Sequence, residues 1–216
     1  MAPLSSSDVT EDKRALRREM GARRAGLPES ERRARSEAAS AQLLALPELG
    51  SLGGRDLART VAGYVAAKGE IDPASALAGA AAGGATVALP RVADGGMRFH
   101  RADWRPLLPE RFGPLVPGRF GLLEPAATAP EIPLEALDVV IVPGLAFDAE
   151  GRRVGFGGGY YDGVFGGGEA GRKRPALIGL CYDFQIVPRC PAAAGDVPVD
   201  VVVTEARVLR PAGGAQ

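Results

Sequence analysis

Two near-continuous apolar runs, Val139-Val140-Ile141-Val142 and Val201-Val202-Val203, constrain this chain more than any other feature. A strand of that kind has no polar face to give to water. Both of its faces must be covered, as happens at the centre of a parallel sheet packed between helices. Further strands are expected at Thr60 to Ala66, Thr86 to Leu89, Met97 to Arg101, Asp138 to Val142, Ala176 to Cys181 and Val199 to Thr204. Between them the sequence predicts helices. Thr10 caps the first, with Glu11 and Asp12 in its first turn and an apolar stripe of Leu16 and Met20 beside Ala15. Pro28 opens a second, running to about Leu46, with Ala34, Ala38, Ala41 and Leu44 as buried positions. Ile71 to Ala82 is a third, with Asp72 as cap and Pro73 at its first position. Tyr160 starts a short fourth, ending near Phe165. Pro106 to Pro133 is Pro-rich and reads as loop. The alternation predicts an α/β fold: a three-layer single domain with a mostly parallel, mixed sheet flanked by helices. Residues 1–9 read as a disordered leader, 10–211 as the domain and 212–216 as a flexible tail.

Composition removes several function classes. The 26 basic and 26 acidic residues balance, which argues against a general nucleic-acid binder. Segment 11–35 nonetheless carries nine Lys/Arg against five Asp/Glu, a surplus of four suited to a small anionic ligand. No run of 18 apolar residues exists, so no membrane span is expected. No signal-peptide pattern opens the chain, and a cytoplasmic location is the default. Cys181 and Cys190 have no metal-binding spacing, and Cys181 reads as a buried thiol. His100 is the only histidine and reads as a surface residue on an edge strand. Without a second histidine or a triad, chemistry must come from positioning, electrostatics and metal.

The run Gly155-Phe156-Gly157-Gly158-Gly159-Tyr160-Tyr161-Asp162 is the site candidate. Bare glycine amides can cradle anionic oxygens, and the closing residues put aromatic surface and a carboxylate beside them. A carboxylate next to phosphates is where magnesium is expected. A plain surface loop is the competing reading, since the chain holds 30 glycines in 216 residues. The order favours the cradle: strand, Pro143-Gly144, charged turn, glycines, then Tyr-Tyr-Asp. Neither a Walker loop nor a third dinucleotide-fingerprint glycine is present. Lys13 and Arg17, four apart, share a helix face; a solvated basic face is the bland alternative.

Val142-Pro143-Gly144-Leu145-Ala146-Phe147-Asp148, Gly151-Arg152-Arg153-Val154-Gly155 and Gly157 to Asp162 closely resemble the signature of the 5-formyltetrahydrofolate cyclo-ligase family. Lys13 to Arg17, Glu70-Ile71, Leu89 to Val92, Phe120 to Pro125, Ile178 to Leu180 with Gln185, and Asp196 to Asp200 have counterparts in the same order. The resemblance spans about 190 residues of the chain. It implies ATP- and magnesium-dependent closure of 5-formyltetrahydrofolate to 5,10-methenyltetrahydrofolate, with release of ADP and phosphate. The formyl oxygen attacks the γ-phosphate, and the folate nitrogen at position 10 traps the resulting iminium phosphate.

Matched position by position, the resemblance implies that Lys13, Arg14 and Arg17 reach ATP phosphates, with Arg17 also near the formyl group. Arg153, Gly155, Gly157, Gly158 and Gly159, with Tyr160 and Tyr161, would form the nucleotide cradle. Asp162 and Asp196 would hold magnesium. Glu70 would pair with the pterin edge, and Tyr160 and Phe120 would pack on the folate ring. Plain loop packing is the alternative for Phe120. By the same resemblance, Arg17, Tyr160 and Asp162 would form the catalytic set. Departures occur at Gly195, where the family often has His, and at Gly163, where Arg is common. The partner is a small folate, with or without a glutamate tail, and the protein is expected to be monomeric. Two other readings remain: a non-catalytic folate- or nucleotide-binding protein, and another ATP-dependent enzyme for an anionic small molecule.

Overall fold

The structure is a computed structural model, and it describes residues 6–50, 59–93, 96–103, 113–167 and 174–212. Helices α1 (Ser6–Ala25), α2 (Glu29–Leu44) and α3 (Pro47–Gly50) come first, followed by strand β1 (Thr60–Ala62) and helix α4 (Ala74–Ala82). Then come β2 (Thr86–Ala93), β3 (Gly96–Ala102), β4 (Leu115–Pro117), β5 (Leu123–Pro125), β6 (Glu131–Ile132), β7 (Val139–Pro143), β8 (Ala146–Phe147) and β9 (Arg153–Val154). Helix α5 (Tyr160–Phe165), β10 (Ala176–Leu180), β11 (Val201–Val203) and β12 (Val208–Leu209) complete the order.

Eight strands form the main sheet in the order β12-β11-β10-β7-β1-β2-β3-β6. Its centre, from β11 through β10, β7 and β1 to β2, is parallel. Its edges, β12, β3 and β6, are antiparallel. The mixed, mostly parallel sheet expected from the valine runs is present, with β7 inside it.

Side chains alternate across the sheet as the pleat requires. Val139 and Ile141 face one core with Leu43, Leu46 and Leu77 from the α2–α4 side. Val140 and Val142 face the other, with Phe147 and Phe99, and with Tyr160, Tyr161, Val164 and Phe165 of α5 packed against it. The second helical layer is thus one short helix plus loops. Cys181 lies in this core, as expected, and burial holds its thiol pKa well above the ordinary value.

Several local expectations need correction. α1 starts at Ser6, so Thr10 lies within the helix and does not cap it. In α2, Ser36, Ala39, Ser40 and Leu43 are buried; Ala34, Ala38 and Ala41 are exposed and Leu44 is half-buried. An alanine carries too little apolar surface to choose a face. Leu43 makes the choice, and Ser36 accepts a hydrogen bond from the Asp72 amide at 2.9 Å. β1 ends at Ala62, well short of Ala66. The Pro-rich stretch is not all loop, because β4 pairs with β5 and β6 extends the main sheet; residues 104–112 lie outside the described residues. His100 is buried, not a surface residue, with Nδ1 2.8 Å from the Ala129 carbonyl. Helix α4 begins at Ala74, not Ile71, and Pro73 rather than Asp72 is its N-cap; Asp72 stands one residue earlier, its Oδ1 accepting from the Ala74 amide at 3.0 Å.

The register of α2 is testable. Leu43→Ala should cost about 2–5 kcal/mol in urea denaturation. Ala38→Lys, on the outward face, should change stability by about 0.5 kcal/mol or less. Equal losses would place the buried face elsewhere.

Candidate functional site

The glycine run leaves β9 and enters α5, so a core strand pair anchors one end and the helix the other. The turn before it is organised by Asp148, which has no solvent exposure. Its Oδ1 accepts from the amides of Glu150 and Arg152, both at 3.0 Å. Its Oδ2 accepts from Arg152 Nε and from the Cys190 amide, both at 2.7 Å. Gly151 sits in the tip with φ 75°, where a Cβ would strike the Val199 carbonyl. Gln185 ties the approach to this turn: its Nε2 donates to the carbonyls of Gly144 at 3.0 Å and Leu145 at 2.8 Å.

Helix α1 lies against the run. Arg17 Nε donates to the Gly155 carbonyl at 2.8 Å, and its guanidinium carbon is 3.6 Å from where a Cβ on Gly157 would stand. Gly157 has φ 105°, which a side chain rarely adopts. Lys13 Nζ meets Asp196 Oδ2 at 2.5 Å. Among the described residues, nothing accepts a hydrogen bond from the amides of Phe156, Gly157, Gly158 or Gly159. Arg14, by contrast, is exposed and pairs with Glu11 at 3.5 Å.

Asp162 Oδ1 accepts from Arg153 at 2.7 Å and from the Val197 amide at 3.0 Å. Arg153 is buried and also donates to the Val197 carbonyl. In this arrangement Arg153 braces the 190–197 loop against α5, and that loop carries Asp196 alongside. Asp196 Oδ2 also accepts from the Ala193 amide at 2.7 Å. Each of the two carboxylates keeps one oxygen outside these bonds. No group of three His, Cys, Asp or Glu side chains suited to a metal gathers among the described residues.

The Tyr160 ring packs against Gly158, where a Cβ would collide with it. Tyr161 stacks on Phe165 with centroids 6.5 Å apart, and burial pushes its phenol pKa up. Glu70 is close enough for its charge to act on Tyr161 and on Arg24. Burial raises the Glu70 carboxyl above its ordinary value, opposed by a hydrogen bond at 2.9 Å from the Ala67 amide. Phe120 falls in the 3-10 turn Arg119–Gly121, with its side chain outside the described residues.

The structure therefore brings together Lys13, Arg17, the glycines, Tyr160, Tyr161, Arg153, Asp162 and Asp196. Three roles escaped sequence reasoning: Asp148 as organiser of the turn, Phe156 as a ring 48% exposed on the loop, and Arg24, buried two turns along the same helical stripe from Arg17. The 13–17–20–24 spacing on α1 was the available signal for Arg24.

Fold and site define an α/β protein in which a glycine-rich loop lies beneath a basic helix. Residues 9–205 match the 5-formyltetrahydrofolate cyclo-ligase family, and the chain belongs to that family. The 5-formyltetrahydrofolate cyclo-ligase of Escherichia coli K12 is 39% identical over 77 residues, 36% of this chain and 41% of that protein. The mitochondrial protein of that name from Arabidopsis thaliana is 40% identical over 82 residues, 35% of this chain and 30% of its own length. These alignments span less than half the length of the curated relatives. The solution structure of Aquifex aeolicus 5,10-methenyltetrahydrofolate synthetase is similar over 94% of this chain and 95% of that one, with TM-score 0.73 and 35% identity. A 5,10-methenyltetrahydrofolate synthetase from Mycoplasma pneumoniae shares the fold at TM-score 0.65 and 22% identity, over 90% and 99% of the two chains.

Asp148→Ala should cost about 3 kcal/mol or more in denaturant titration, because three main-chain amides and a guanidinium lose their acceptor together. A loss below about 1 kcal/mol would mean that the turn holds itself.

Proposed function

We propose that this protein catalyses ATP- and magnesium-dependent cyclisation of 5-formyltetrahydrofolate to 5,10-methenyltetrahydrofolate. The observation that carries the reading is the convergence of α1 on two neighbouring loops: Arg17 on Gly155 of the glycine run and Lys13 on Asp196 of the 190–197 loop. Family membership over residues 9–205 supports the substrate class.

The chemistry suits these residues. The formyl oxygen is a neutral nucleophile with no proton to remove, so the first bond, from that oxygen to the γ-phosphorus, needs no histidine base. It needs the triphosphate held in line and its growing charge neutralised. The amides of 156–159 would receive phosphate oxygens, with Lys13 and Arg17 supplying positive charge. ADP leaves as that bond forms; the nitrogen at position 10 then attacks the activated carbon, its proton passes to water, and phosphate leaves with the former formyl oxygen. Tyr160 offers its ring to the folate, and the Glu70 carboxylate accepts from the pterin's amino edge.

Asp162 and Asp196 would hold magnesium. With two carboxylates, each already beside a cation, the site suits an ion completed by substrate phosphates better than an all-protein cage. When bound, the ion would neutralise charge on the transferring phosphoryl group.

The assay follows methenyltetrahydrofolate absorbance after mixing protein, ATP, magnesium and 5-formyltetrahydrofolate. Turnover supports the reading; ligand binding without any absorbance rise removes it. Asp162→Ala should lower kcat/KM by about 100-fold, some 3 kcal/mol of transition-state stabilisation. Lys13→Ala should raise the apparent ATP constant, and an unchanged value would leave Lys13 as a partner of Asp196 alone.

A pH dependence follows from Glu70. Its folded pKa is raised, so it protonates at higher pH than an exposed glutamate. Folate affinity should be full above that raised value and fall as pH drops through it. Glu70→Gln should flatten the profile; an unchanged slope would exclude Glu70 as the acceptor.

A further inference from the structure

A cavity of about 560 Å³ lies between α1, the Lys68-Gly69 turn and the glycine loop, lined among others by Arg17, Arg24, Arg32, Lys68, Leu145 and Phe156. Four of those side chains are cationic. Arg24 is the unusual one. It is 2% exposed, yet its Nε and Nη1 have no hydrogen-bond partner, while Nη2 donates to the Lys68 carbonyl at 2.6 Å. Its guanidinium lies 5.3 Å from the Phe156 ring centroid. Glu70, Tyr64 and Tyr182 act on it through space, and none of them takes the two idle donors.

A buried guanidinium with two unused N–H groups carries a desolvation cost that its surroundings do not offset. Those groups belong to a rigid planar fork that matches carboxylate or phosphate oxygens. The cavity around them is within the size range of small-molecule sites, and Arg17 lines both it and the glycine loop.

We propose that this cavity is an oxyanion subsite, with Arg24 as the group that receives a carboxylate or phosphate and Arg32 and Lys68 as outlying cations. Two sources share that chemistry: glutamate-tail carboxylates of a folate, and the phosphates of a nucleotide. Naming these sources rests on the proposed reaction; the subsite itself does not.

The test is calorimetric binding of three probes, 5-formyltetrahydrofolate with one glutamate, the same with five glutamates, and ATP, to wild type, Arg24→Met and Lys68→Gln. If the subsite takes tail carboxylates, Arg24→Met weakens the five-glutamate ligand by about tenfold or more and leaves ATP unchanged. If it takes phosphates, ATP weakens by that factor instead. Lys68→Gln, on the exposed turn, should shift the same probe by a smaller factor. The ligand-free Arg24→Met protein should melt at or above the wild-type temperature, since an uncompensated buried charge has been removed. A lower melting temperature with all three probes binding as in wild type makes Arg24 a structural strut and overturns the proposal. Because binding is read directly, loss of cyclo-ligase turnover with Arg24-dependent binding intact would remove only the proposed reaction.

Discussion

A carboxylate with no access to water governs the path of the chain into the site. Asp148 collects donors from its own turn and from Cys190, forty-two residues further on. Unpaired, such a charge would cost several kcal/mol, so the segments that satisfy it stay assembled. That closure draws the 190–197 loop beside β9, and the Val199 amide donates to the Gly151 carbonyl at 2.9 Å on the same side. From there Val197 reaches Asp162, and Asp196 falls within reach of α1. Residues 155–159 inherit their position from this arrangement; apart from Phe156 they have no side chains with which to hold it.

Helix α1 completes the site by an unusual use of its inner stripe. Lys13, Arg17 and Arg24 share it with Met20, so a cationic edge replaces what would ordinarily be an apolar seam. Lys13 meets an acid on the 190–197 loop and Arg17 a carbonyl of the glycine run. A stripe of this kind stabilises the free fold poorly and a bound anion well. That trade-off is familiar where function, not packing, sets the sequence.

The central sheet was legible because Val139–Val142 and Val201–Val203 leave no polar face, and the glycine run was legible because its strand and helix flanks can be read from both sides. The face of α2 was not legible. Its alanines are spread around the helix, and buried Ser36 is matched by a hydrogen bond from a residue thirty-six positions away. Strands β4, β5 and β6 are two or three residues long within a proline-rich stretch, so their pairing partners decide them. At the site, residue types were readable and partners were not. Arg153 turns from the loop towards Asp162 and Val197 because burial demands acceptors for its guanidinium, which no local pattern announces.

The central claim is that main-chain amides 156–159, backed by Arg17, grip the terminal phosphates of a nucleotide. An NMR titration of amide-labelled protein with ATP and magnesium reads those groups directly. The account predicts large shifts and slowed exchange with solvent at Gly157, Gly158 and Gly159 on saturation. Unmoved glycine signals, with ATP bound and shifts confined to another surface, would contradict it.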